Sequence, residues 1–366
     1  MRTFRSDNNA GLCPEALRAL QDCNVAHAMG YSDDDWSRRA VASFRRVFSP
    51  DAHVFFVPTG TAANTLSIAA LTKPWQRILC HDHAHLNDDE STAPELFTHC
   101  RVTPIHTDPL TQGSLLTVDL LHRAADSASR NDVHQPSPGV LTLSNPTEFG
   151  EVYTPEQLKD LCDAAHALGY RVHCDGARFA NAVAHVAHAR HISANDAARA
   201  LSIDAGLDAL SFGGTKNGLA HAEAVLFFPQ PHTPTLAADA AHDFPFLRKR
   251  AGHLLSKHRF LSAQFAAVLE SAAWVAHASH ANAMAARLAD ALRALDLHPS
   301  FPTQANAVFV QLPQPLIDHL FAHGHEFYTF GPARWRLARL MCSFDTSPED
   351  IAALTRSIRE RPAPTP

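Results

Sequence analysis

The chain has 366 residues, 46% of them hydrophobic and 19% charged, with a formal net charge of −6. That composition excludes a disordered or fibrous chain, and an acidic balance without a basic stripe argues against nucleic acid or an anionic membrane surface as partner, which leaves a small molecule. The opening "MRTFRSDNNAGLCPEAL" lacks the apolar core of a signal peptide and no run has the length of a membrane span, so a cytoplasmic protein is expected.

In chain order, "HVFFVPTGTAANTLSIAAL" reads as a strand from His53 to Val57, a tight turn and a helix beginning near Thr61. "HDHAHLNDDE" follows, residues 81–90, with His81, His83 and His85 alternating as they would on one face of a strand end. In "TPEQLKDLCDAAHALGYRVHCDGAR", Thr154 and Gln157 have capping-box spacing around Pro155, and Leu158, Leu161, Cys162, Ala165 and Leu168 repeat at helical spacing. Gly169 supplies the stop, and the strand "YRVHC" then delivers Asp175 to its carboxyl end, where helix-flanked sheets bind ligands.

"DALSFGGTKNGLAHAEAVLFF" gives two short strands around a turn that holds Lys216. Over residues 229–246 prolines accumulate and the pattern breaks, so the connection between domains is expected just beyond. An Ala-rich helix from about Leu261 to Leu295, the strands "NAVFVQL" and "RLARLMCSF", and the helices "PLIDHLFAHG" and "SPEDIAALTRSI" complete the chain before a tail, "RPAPTP", expected to be disordered. The seven cysteines are scattered with no C-x-x-C pair, as reduced buried thiols are. These elements predict an α/β fold: a large domain over 16–250 with a mostly parallel helix-flanked sheet, a smaller C-terminal α+β domain over 251–366, and an N-terminal arm over 1–15.

Four stretches carry candidate chemistry, each with a plain alternative. A lysine in a turn is usually a solvated charge, but partly desolvated it forms a Schiff base with an aldehyde, and Gly213, Gly214 and Gly218 around Lys216 would let a flat ring approach the backbone. Asp175 is either a helix N-cap or a carboxylate for a protonated pyridine nitrogen. "TGTAAN" at a helix start is either an ordinary turn or a phosphate cradle. The three histidines either ligate a metal, as in H-x-H hydrolases, or place an imidazole on the face of an aromatic cofactor with a nearby acid behind it.

Taken together, "FRSDNNAG", "TGTAAN", "AHLNDDE", "HCDGARFANA", "SFGGTKNGLAHAEA" and "RLMCSFDTS" resemble the fold-type-I pyridoxal-phosphate enzymes, and specifically the low-specificity L-threonine aldolase family with its phenylserine-cleaving members. The resemblance spans nearly the whole chain in the same order. It implies that pyridoxal 5′-phosphate is the cofactor, that Lys216 is the Schiff-base lysine, that Asp175 pairs with the pyridinium nitrogen and that His85 stacks on the ring. It further implies that Gly60, Thr61 and Thr215 hold the phosphate, that Ser6, Arg178 and Arg339 grip the substrate carboxylate, and that Lys257 serves a neighbouring subunit within a homotetramer of dimers. Arg178 thereby stands beside both cofactor and substrate.

The reaction so implied is retro-aldol cleavage of a β-hydroxy-α-amino acid to glycine and an aldehyde. The proton of the β-hydroxyl is taken through His85, or through water near Glu148 or Glu90, and no metal is needed. Two positions depart from the family: Glu148 stands in "NPTEFG" where relatives often carry a histidine, and Ser32 follows Tyr31 where they often carry glycine. β-Elimination or transamination on the same fold is the nearest alternative. A metal-dependent hydrolase built on His81, His83 and His85 is the remote one.

Overall fold

A computed structural model describes residues 3–126, 133–231 and 233–360. Seven strands form the large sheet: β1 His53–Val57, β2 Gln76–His81, β3 Arg101–Ile105, β4 Ser137–Ser144, β5 Arg171–Gly176, β6 Ala209–Gly213 and β7 Glu223–Phe227. Their order is β1-β7-β6-β5-β4-β2-β3, and β7 alone runs against the others. The strands are apolar on both faces because both are covered, as a parallel sheet requires. Val172, Cys174, Leu210 and Phe212 join one core, and Val140, Ala209, Val225 and Phe227 another. Helix Gly60–Leu71 lies in the second layer and is buried almost all round, which is why its sequence lacks an amphipathic stripe.

The capping box at Thr154 and Gln157 forms as the spacing requires and starts helix Pro155–Ala167. Two other readings are overturned. Residues 229–246 are not a break, for Leu236–Arg250 is a helix with Pro245 inside it. Its Phe244 packs on Phe55 and Phe227, with ring centres 4.9 and 5.6 Å away, so burial outweighs the hydrogen bond that proline forfeits. The single helix expected from Leu261 to Leu295 is two, Arg259–Glu270 and Ala273–Arg293, separated where Ala272 turns left-handed (φ 58°).

Strands β8 Ala307–Gln311, β9 Tyr328–Phe330 and β10 Leu337–Met341 make a second, antiparallel sheet in the order β8-β10-β9. Its core holds Leu288, Leu292, Val308, Leu340 and Ile351. Helix Arg259–Glu270 packs on helices Pro14–Cys23 and Asp35–Val47, and the large core runs on through Ala278, so hydrophobic continuity passes residue 250 and divides within helix Ala273–Arg293. The N-terminal segment reaches both parts: Phe4 sits in the smaller core, accepts from the Met341 N–H at 2.8 Å and donates to Glu326 O at 2.9 Å, while the Cys13 N–H donates to Gly218 O at 2.8 Å. The tail 361–366 lies outside the described residues.

Candidate active site

Because β1, β6, β5, β4 and β2 point the same way, their carboxyl ends deliver the turns after Val57, Gly213, Gly176, Ser144 and His81 to one edge of the sheet. Lys216 stands there in the short 3-10 turn Thr215–Asn217, half-buried, with the charges of Asp7, Asp175, Glu223 and His85 in electrostatic reach. Among the described residues no hydrogen bond or ion pair ties up its amine. The glycines around it serve packing rather than ring approach: a Cβ on Gly213 would meet the Ala177 carbonyl at 2.1 Å, one on Gly214 the Ala222 carbonyl at 2.5 Å, and Gly218 has φ +93°. Behind the turn, Glu223 is buried, accepts from the Gly214 N–H at 3.0 Å and from the Thr215 hydroxyl, and burial pushes its carboxyl up to about 7. Thr215 is therefore already engaged, its oxygen also accepting from Ala222 N–H at 3.2 Å.

Asp175 is the next-to-last residue of β5 and does not cap the following helix, whose N-cap is Arg178. One of its oxygens accepts from Ala177 N–H at 2.9 Å, the other from Asn64 Nδ2 at 2.8 Å. The same Asn64 amide donates to Glu90 Oε1 at 2.8 Å, and Glu90 in turn lies 2.9 Å from His85 Nδ1. An Asp175–Asn64–Glu90–His85 chain thus runs along the edge. Burial raises the Asp175 carboxyl, but the cations of His85 and Lys216 outweigh it and hold the group below its ordinary range. His85 is held above the ordinary imidazole value, first by its bond to Glu90, against the opposing effect of burial. Glu90, its side chain fully buried, is bonded to His85, Asn64 and Thr65.

The three histidines do not share a strand face. His81 closes β2, His83 lies in the turn, and His85 opens the helix His85–Asp88. His81 Nδ1 accepts from the His83 N–H at 3.0 Å, so its Nε2 carries the proton and donates to Thr107 Oγ1 at 2.8 Å. Burial holds His81 down at about 4. His83 stands edge-on to Phe149, centre to centre 5.4 Å, and to Trp335 at 5.8 Å. Three rings with three separate sets of partners do not converge on one ion.

Ser6 caps the turn Asp7–Asn9 through the Asn8 N–H at 3.2 Å, and this turn packs on that of Lys216. Its neighbour Asp7, which sequence reasoning missed, takes Arg178 in a bidentate pair, Nε at 2.7 Å and Nη2 at 2.9 Å, and accepts from Asn306 Nδ2 at 3.0 Å. Half of the Arg178 fork is thus spent on positioning. Arg339, on β10, has no carboxylate within salt-bridge distance among the described residues and lies over the rings of Tyr328 and Phe330 at 5.4 and 5.3 Å. Burial first, and the Arg178 cation second, press its guanidinium below the usual value. Glu148, in the turn after β4, is close enough to His85, Arg178 and Arg339 for each to feel its charge. Lys257 is exposed, and among the described residues no hydrogen bond or ion pair joins its amine to these groups.

At the start of helix Gly60–Leu71 the cap is Thr59, which accepts from Ala62 N–H at 3.2 Å, and among the described residues the N–H groups of Gly60 and Thr61 are unspent. A Cβ on Gly60 would meet nothing within 4 Å, so the space before these donors is open. Asn145 Nδ2 and Arg339 Nε are buried without partners among the described residues. A free amine, a buried carboxylate, an imidazole and a helix start with open donors together fit a phosphorylated pyridine aldehyde. Asn64, Asp7 and Glu223 were missed because each is one polar residue in an ordinary context; a lone amide inside the buried run "AANTLSIAAL" and a carboxylate opening the apolar strand "EAVLF" were the available signals.

A model of the family described as beta-eliminating lyase matches residues 3–314. The low specificity L-threonine aldolase of Pseudomonas aeruginosa is 41% identical over 361 residues, covering 97% of this chain and 96% of its own length. That of a Pseudomonas sp. strain is 39% identical, with 97% and 96% covered. Among solved structures, a threonine aldolase of Leishmania major matches with a TM-score of 0.86 over 98% of this chain and 99% of its own, at 24% identity, which speaks to the fold.

Proposed function

Because the chain belongs to the beta-eliminating lyase family and, within it, to the low-specificity L-threonine aldolases, we infer that it cleaves L-threonine, L-allo-threonine and related β-hydroxy-α-amino acids such as phenylserine to glycine and an aldehyde. The observation that carries the reading is the meeting of unspent Lys216 with buried Asp175 at one sheet edge. Lys216 would hold pyridoxal 5′-phosphate by its amine, Asp175 the ring nitrogen, His85 a ring face, and the Gly60 and Thr61 N–H groups the phosphate. When bound, that group supplies an electron sink for the pair left on Cα as the Cα–Cβ bond breaks.

The chain's own residues orient and move protons. Arg339, with no carboxylate in salt-bridge distance among the described residues, and the free edge of Arg178 would bind the α-carboxylate, assisted by Ser6, and so fix which bond at Cα is set to break. Asp7 keeps Arg178 in that orientation. Glu148, whose charge reaches His85, Arg178 and Arg339, is assigned as the base: through a water, its carboxylate would take the β-hydroxyl proton as the aldehyde departs. Glu90 and Asn64 hold His85 and Asp175 at fixed separation. Lys257 is assigned to a neighbouring subunit's phosphate in a homotetramer of dimers, supported by its exposure and by an amine that, among the described residues, no hydrogen bond or ion pair joins to its own site. Mixing Lys216→Ala and Lys257→Ala chains would then restore activity that neither has alone.

The deciding experiment follows products and the visible spectrum with L-threonine, for the native chain and Lys216→Ala. Glycine with aldehyde, lost in the variant along with the absorbance of the bound cofactor, is the expected result. Ammonia with a keto acid would replace aldol cleavage by β-elimination or transamination on the same site. A colourless protein indifferent to added pyridoxal phosphate would sink the reading.

A further inference from the structure

Away from the reacting centre, one mixed set of metal-ligating side chains comes together among the described residues: Cys13, Glu15 and His277 offer a sulfur, a carboxylate oxygen and a ring nitrogen all within 4.8 Å of one another. Cys13 is buried and the other two are half-buried. Cys13 holds the N-cap position and Glu15 is the second residue of helix Pro14–Cys23, while His277 lies in the first turns of helix Ala273–Arg293. His277 Nε2 is 3.0 Å from Glu15 Oε2.

We propose that Cys13, Glu15 and His277 bind a divalent transition-metal ion of the zinc type, as a brace outside the chemistry. One sulfur, one nitrogen and one oxygen donor suit zinc or cobalt and not magnesium or calcium, which take oxygen alone. A thiolate and a carboxylate cancel the charge of a divalent ion, so the site is neutral overall and its burial is tolerable. Three protein ligands leave a fourth position, which the half-exposed rim of Glu15 and His277 opens to water.

The ligands are held in place before any ion arrives. The Cys13 N–H donates to Gly218 O at 2.8 Å, and the His277 ring packs on Phe344 with centres 5.2 Å apart. Asn217 Nδ2 donates to Trp274 O at 2.7 Å, tying the His277 helix to the same turn. Both ligand-bearing helices are thus anchored on the turn that carries Lys216, and little ordering remains to oppose binding. An ion here would join the two helices behind that turn.

The test uses the full-length holoenzyme, treated with chelator and titrated with Co2+ followed by absorbance against metal-free protein. Expected are one Co2+ per chain, the visible ligand-field bands of a tetrahedral site, a near-ultraviolet thiolate charge-transfer band, displacement of all of these by Zn2+, and a raised unfolding temperature. Cys13→Ser should abolish the thiolate band. Glu15→Gln, a change on a half-exposed side chain that leaves folding intact, should weaken binding by more than about 100-fold, since loss of an outer partner alone costs up to that much. Cys100→Ala, in the other core layer, should keep the band. No thiolate band in the native chain, or a band that survives Cys13→Ser and Glu15→Gln, would overturn the proposal and leave a hydrogen-bonded trio without an ion.

Discussion

Replacing Glu223 by glutamine isolates one buried ionisation behind the Lys216 turn. In the folded chain the Glu223 carboxyl titrates at about 7 against an ordinary 4.5, a shift caused first by burial and only partly offset by the donors at Gly214 and Thr215 and the charge of Lys216. A gap of about 2.5 pH units corresponds to about 3 kcal/mol. The folded value is raised, so folding favours the protonated acid. Its contribution is fully present below pH 4.5, is lost as the pH climbs to about 7, and above that the folded chain bears the cost of a buried carboxylate. A glutamine in place of Glu223 does not titrate and keeps an oxygen for the Gly214 N–H. Urea unfolding of both proteins from pH 4.5 to 8 should therefore show their stability difference moving by about 3 kcal/mol in favour of Glu223→Gln as pH rises. Carboxylates common to both chains cancel in that difference. A difference that stays constant with pH would refute the reasoning, since it would mean that Glu223 has the same proton affinity folded and unfolded.

Asp7→Asn strips Arg178 of its bidentate partner in a buried setting, so unfolding free energy should fall by about 3–5 kcal/mol and the KM for L-threonine should rise; an unchanged melting temperature and KM would show that the pair positions nothing. Glu90→Gln removes the group that raises His85, so any limb of the pH–rate profile governed by His85 should move toward lower pH, and a profile identical to the native one would show that His85 does not report on the reaction. Ser32 adopts φ 72°, a left-handed backbone in which a Cβ costs about 1–2 kcal/mol, so Ser32→Gly should raise the stability measured by denaturant unfolding by about 1 kcal/mol; a loss of stability would mean that its hydroxyl bond to the Tyr31 carbonyl outweighs the strain.

Much of the site was legible because its parts are local. A strand, a turn and a helix start are specified within a score of residues, so "TGTAAN", the end of "YRVHCDG" and the turn around Lys216 could each be set at a strand's carboxyl end from pattern alone. The same local logic misread Pro245 as a break and the 261–295 stretch as one helix, because Phe244 packing and the left-handed Ala272 are settled by neighbours outside the window. It also set His81, His83 and His85 on one face, whereas β2 stops at His81 and each ring finds partners in a different segment.

By itself, the order of apolar runs, caps and turns determined that this chain folds as a helix-flanked sheet with Lys216 and Asp175 at its carboxyl edge. Only the tertiary structure decided what those groups meet. Asp7 reaches Arg178 across 171 positions, Asn64 reaches Asp175 across 111, and Glu15 reaches His277 across 262. Such pairs leave no periodic trace in the sequence, since a hydrogen bond between distant residues depends on how whole layers pack. The packed layers also settle how far each carboxylate and each cation is removed from water, and with that which of them hold their protons.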